Sequence, residues 1–144
     1  MRLCVIAVFA LIFSGNVKAI DMFGAVEFTD LSPNASEKVW EREKQVMPRY
    51  PKALVMDGVR GCSVFDFDVT EDGKATNVEI VSSLPKGANF RPVKKQILRW
   101  DWKLVEGKAA TKESKRVRLD FCMNRESRES VEAQCKAQAQ MACE

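Results

Sequence analysis

The chain contains no histidine. Ser-His-Asp and Cys-His catalysis are therefore excluded, as is any zinc site that needs an imidazole. One tyrosine, five prolines and seven glycines occur among 144 residues, too few for a proline-rich spacer or a glycine-rich linker. No Cys-x-x-Cys spacing occurs, so a thioredoxin-like redox site has no basis. Charge of one sign is missing too. The 23 basic and 20 acidic side chains leave a formal charge of +3, which gives no preference for nucleic acid or an anionic membrane. The longest apolar run, Leu3 to Phe13, is well short of the roughly 20 residues that span a bilayer.

That short run has the form of an address. Arg2 supplies a positive start, and Val17-Lys18-Ala19 puts small residues at the −3 and −1 positions of a cleavage site. Residues 1–19 are expected to be a secretory signal, with the mature chain beginning at Ile20. Arg2 and Lys18 leave with it, and the formal charge falls from +3 to +1. Cys4 leaves as well, so Cys62, Cys122, Cys135 and Cys143 remain. An even number in an exported chain points to two disulfides.

Residues 20–31 are short and unperiodic and suggest an extended arm. Ser32-Pro33 has the signature of a helix start, with Val39, Trp40, Val46 and Met47 as a broken apolar stripe running to Met47. Pro48-Arg49-Tyr50-Pro51 stops it, and Pro51 to Met56 allows one further turn before Gly58. From Gly61 the alternation is clean: Ser63, Phe65, Phe67 and Val69 fall on one face, Cys62, Val64, Asp66 and Asp68 on the other. Glu71-Asp72-Gly73 predicts a hairpin turn, and the return strand, Lys74 to Ser82, changes parity in a way that implies a bulge. Phe90, Val93, Ile97 and Trp100 then recur at helical spacing from an Asn89 cap to Trp102, with Arg91, Lys94, Lys95 and Arg99 on the solvated side. Ser114 to Met123 is a third strand, Val117, Leu119 and Phe121 inward, Arg116, Arg118, Asp120 and Cys122 outward. Residues 124–144 form a helical tail rich in Ala and Gln.

The expected fold is therefore α+β: a three-stranded antiparallel sheet in the order 2-1-3, a helix packed on one face, and flanking N- and C-terminal helices. Its parts are a signal (1–19), an arm and helix (20–47), a central domain (48–123) and the tail. Cys62 and Cys122 share the outward face, at the start of the first strand and the end of the third. If they are opposite and bonded, Asp66 meets Arg118, Asp68 meets Arg116, Phe65 meets Leu119 and Phe67 meets Val117, and Cys135 is left for Cys143. Asp66, Asp68, Glu71 and Asp72 do not match an EF-hand spacing. No catalytic residue, metal site or cofactor is expected.

Tyr50-Pro51, Gly58, Gly61, the strand with Phe67 and Val69, Asp72-Gly73, Val78 to Ser83, Phe90, Trp100, Gly107 and Val117 to Phe121 occur in an order that resembles the C-terminal domain of the TonB energy transducers, over residues 48–123. The resemblance implies a periplasmic, non-enzymatic binding module. Its partner would be an outer-membrane transporter or another envelope protein, whose peptide adds as a strand to the sheet edge. It also implies that Arg49, Tyr50 and Pro51 lie near that peptide. By the 2-1-3 topology the edge is strand three, with Lys115, Arg116, Val117, Arg118 and Leu119 as contacts. Its basic side chains would tolerate an acidic or neutral peptide better than a basic one. A second copy pairing along strand three, giving a homodimer, is the rival occupant, and the tail is another. After signal cleavage nothing inserts in the membrane. Two other functions fit the same residues: a disulfide-stapled secreted interaction or inhibitor protein, and a short-anchored transducer.

Overall fold

In a computed structural model, which describes residues 21–33 and 37–144, the alternation at Gly61 becomes the strand it implies. The elements are β1 (Phe23–Asp30), β2 (Trp40–Arg42), α1 (Lys52–Met56), β3 (Gly61–Val69), β4 (Ala75–Leu84), α2 (Arg91–Ile97), β5 (Trp102–Leu104), β6 (Glu113–Asn124) and α3 (Arg128–Gln138). The expected signal and its cleavage site before Ile20 lie outside the described residues. None of the described helices is long and apolar enough to cross a membrane.

The α+β class holds, but the sheet has four antiparallel strands in the order β1-β6-β3-β4. Phe65, Phe67 and Val69 of β3 and Val117, Leu119 and Phe121 of β6 point to one face. There they meet Phe90, Val93, Ile97 and Trp100 as one core. The opposite face is shared. Cys62 and Val64 are covered by Cys143 and Leu84, and Cys122 by Val131 and Cys135 of α3. Asp66 and Asp68, farther along β3, stay open to solvent.

Two glycines fix the ends of β3. Gly73 closes the hairpin at φ +70°, its N–H donating to Thr70 O at 2.9 Å. A Cβ on Gly61 would come within 2.5 Å of Leu84 O, so no larger residue fits beneath that carbonyl. The bulge expected in the return strand is doubled: β3 and β4 slip register between Val64 and Phe65 and again between Asp66 and Asp68.

The segment around Trp40 is not helical. Over residues 37–47 the only regular element is β2, which pairs with β5. Ser32, expected as a helix cap, instead continues the β1–β6 ladder by accepting the Arg116 N–H at 3.2 Å. The pull is burial. Trp40 is sunk in the core and its indole N–H donates to Thr111 O at 2.8 Å. Arg42 is sandwiched between Phe28 and Trp100, 4.2 and 4.6 Å from the ring centroids. The helix expected to run to Trp102 ends at Ile97 for a related reason. Trp100 and Trp102 both pack against Phe67, at 6.3 and 5.6 Å between centroids, and a spacing of two suits extended chain. Trp102 thus packs beside the core.

The expected register and disulfides are corrected. Asp66 lies opposite Arg116, Asp68 opposite Ser114, Phe65 opposite Val117 and Phe67 opposite Lys115. The offset from the expected pairing is two residues, which leaves every side chain on its expected face, so the alternation is blind to it. Cys62 faces Asp120, and Cys122 lies beyond the end of β3, opposite Ala25. The bonds are Cys62–Cys143 and Cys122–Cys135, with Cα separations of 5.9 and 5.4 Å. Since α3 runs antiparallel across the sheet, Cys135 reaches Cys122 within 13 residues, and the chain past Gln138 turns back to Cys62. Non-reducing peptide mapping of the folded protein is expected to recover these two pairs. Cys62 joined to Cys122 would contradict the structure.

Candidate functional site

Strand three of the sequence expectation, here β6, has no free edge. Residues 113–121 pair with β3 and residues 117–124 with β1, from Phe23↔Asn124 to Asp30↔Val117. The edge proposed for a partner peptide, or for a second copy, is occupied by the chain's own N-terminal strand. Neither the tail nor another protomer takes that place.

The side chains expected to greet a partner there are mostly absorbed by the fold. Val117 and Leu119 are core. Lys115 is buried, and its Nζ donates to Trp40 O at 2.9 Å and to Glu113 Oε1 at 2.7 Å. Glu113 Oε2 in turn accepts the N–H groups of Val39 and Trp40, so this ion pair ties β2 to β6. Arg118 lies flat under α3. It grips Asp120 with two 2.8 Å bonds and donates to Gln138 O and Met141 O, which satisfies carbonyls at and just past the end of α3. Asp120 is fully buried and also accepts from Gln138 Nε2 at 3.1 Å.

Arg116 is the exception, exposed and forked onto Asp66 with two 2.6 Å bonds. Hydrogen bonding to Arg116 holds the Asp66 carboxyl below its usual range. Asp68 is lowered likewise, first by its hydrogen bond to Lys112, then by those to Ser114 and Asn77. Both carboxylates contribute stability above their ordinary pKa and lose it as pH falls through the lowered values. They are solvent-screened, so the contribution is modest.

Tyr50 and Pro51 are structural here. Tyr50 packs edge-on against Phe121, 5.3 Å between centroids, and its hydroxyl donates to Val59 O at 2.9 Å. Pro51 is buried at the start of α1, and only Arg49 leaves its side chain at the surface. The sequence expectation missed β1 altogether. Val26 and Phe28 pack on the core while Phe23 and Ala25 pack on α3, and a strand covered on both faces shows no polar alternation.

Residues 46–123, more than half of the chain, match the family model described as Gram-negative bacterial TonB protein C-terminal. The chain belongs to that family. A curated relative, Protein TonB of Yersinia enterocolitica, is 33% identical over 61 residues, which are 42% of this chain. The chain spans about a quarter of that relative's length, 24%. A solution NMR structure titled Pseudomonas aeruginosa TonB CTD aligns over 66% of this chain and 90% of that one, at 22% identity and a TM-score of 0.45.

Two outcomes follow from the buried groups. Arg118→Ala strands the Asp120 carboxylate and is expected to destabilise the fold by about 3–5 kcal/mol, measured by urea unfolding. An Arg118→Met, Asp120→Leu pair is expected to recover most of that loss. Burial pushes the Tyr50 hydroxyl up to about 12. As the chain's one tyrosine, it is expected to show no tyrosinate absorbance in the folded state near its ordinary pKa of about 10. The stability it adds is complete below about pH 10 and is lost as pH climbs toward the raised value. Early ionisation in a folded sample would contradict its burial.

Proposed function

We propose that the chain is an exported, non-enzymatic binding module of the cell envelope that engages an outer-membrane transporter or another envelope protein in TonB-dependent transport. The observation that carries this is the family match over residues 46–123. The fold adds a supporting point. The sheet already takes an extended segment along β6, in the form of β1, by main-chain pairing over eight residues. Two disulfides around α3 suit a chain working in an oxidising compartment.

The test is capture from detergent-solubilised outer membranes by the oxidised, immobilised domain, against bare resin and against the reduced domain. Retention of an outer-membrane protein by the oxidised form is expected. Retention of soluble envelope proteins alone would overturn transporter engagement and favour a secreted interaction protein.

A further inference from the structure

Because β1 caps β6, the sheet presents two other edges, and they differ. The phase of β1 is set at its end, where Leu31 N–H donates to Arg116 O at 2.8 Å. By antiparallel alternation Phe23, Ala25, Glu27 and Thr29 face β6, and Gly24, Val26, Phe28 and Asp30 turn their N–H and C=O groups outward. Among the described residues no hydrogen bond satisfies those outward groups. The β1–β6 register runs without a slip, so the free edge is straight for eight residues. The β4 edge is broken twice by bulges and holds Asn77 at φ +53°. Bulges of this kind twist an edge strand away from pairing. Of the two, β1 is the edge that can accept a ladder.

Its charge says which segment fits. Glu27 and Asp30 are acidic, and β1 carries no basic residue. Glu27 is half-buried opposite Asp120, whose charge is already taken up by Arg118, and neither Glu27 nor Asp30 has a cation within ion-pair distance among the described residues. A cation beside Glu27 is therefore wanting. On the other face Val26 and Phe28 are only partly buried, leaving apolar surface for an adjoining side chain. A second copy of β1 would bring more carboxylates and no cation.

We propose that the outer edge of β1 docks an extended segment of a partner protein in which apolar residues alternate with Lys or Arg, the basic ones lying beside Glu27. The proposal rests on the binding-module reading above and reverses the charge preference expected from the sequence, since the exposed edge is acidic where β6 is basic. An incoming strand would pair with the outward groups of Gly24, Val26, Phe28 and Asp30 and extend the sheet to five strands.

The probe is a capped heptapeptide in which valine alternates with lysine, with its glutamate counterpart as control, followed by amide hydrogen exchange. The lysine peptide is expected to slow exchange at Gly24, Val26, Phe28 and Asp30 by about tenfold or more, leaving Ala25, Glu27 and Thr29 protected throughout. The glutamate peptide and the Glu27→Gln variant are each expected to weaken binding at least about fivefold. Gly24→Pro and Asp30→Pro remove outward donors from exposed positions and are expected to abolish the protection while circular dichroism stays unchanged. Glu27→Gln keeps the test informative if a proline variant unfolds. Three results would overturn the proposal: protection appearing on β4 instead; loss of protection at Ala25 and Glu27, meaning the peptide displaces β1; or the same protection arising from protein concentration alone, meaning a second copy sits there. Membrane-protein capture that survives in Glu27→Arg and Gly24→Pro would sink the β1 edge and leave the binding-module reading standing. No capture by the native domain, with peptide protection intact, would do the reverse.

Discussion

The whole arrangement depends on β6 being buried on both faces from Val117 to Met123. It is flanked by β1 and β3, covered on one face by α2 and on the other by α3. Every buried polar group along it must then be satisfied within the chain, because a buried polar group without a partner costs more than its hydrogen bond gains. That is why its charged residues come with dedicated partners: Lys115 with Glu113 and a backbone carbonyl, Arg118 with Asp120 and the end of α3. The disulfides follow from the same crowding. Cys122 can only meet what lies above β6, which is α3, and Cys62 only what the chain brings back after α3 ends.

How much of this was legible in the residues depends on whether one face of an element sees water. β3 was plain, since Phe65, Phe67 and Val69 alternate with Asp66 and Asp68 and those carboxylates do remain in solvent. The hairpin was plain because Gly73 adopts a conformation few residues tolerate. β6 had the same appearance but a different meaning. Arg118 and Asp120 look like a solvated face and are an internal ion pair, because a helix distant in sequence covers them. Composition cannot tell a charge in water from a charge beside its counter-ion under a helix.

The remaining misjudgements share one source. A register shift of two preserves every facing, so only the hydrogen-bond partners separate it from the true pairing. The cysteine connectivity depends on where α3 lies, which no local pattern encodes. The stretch around Trp40 has the spacing of a weak helix, yet tertiary burial of Trp40 and Arg42 overrides it. The family, by contrast, was legible because its markers are glycines and aromatics whose roles are local and whose order along the chain survives at low identity. The candidate site was the least legible part, since what occupies an edge is decided by a strand almost a hundred residues away.

That distance has a kinetic meaning. β1 is made first, and the strand it pairs with comes late, Phe23 waiting for Asn124. Until then β1 has no strand partner among the described residues. Folding cannot proceed in step with elongation at this end, and a topology with such long-range pairing is expected to be slow. The nascent segment therefore spends its waiting time as an unpaired strand, and Glu27 and Asp30 disfavour its pairing with like copies during that interval. The carboxylates on this strand thus act on the ensemble before the fold exists as well as on the surface of the finished molecule.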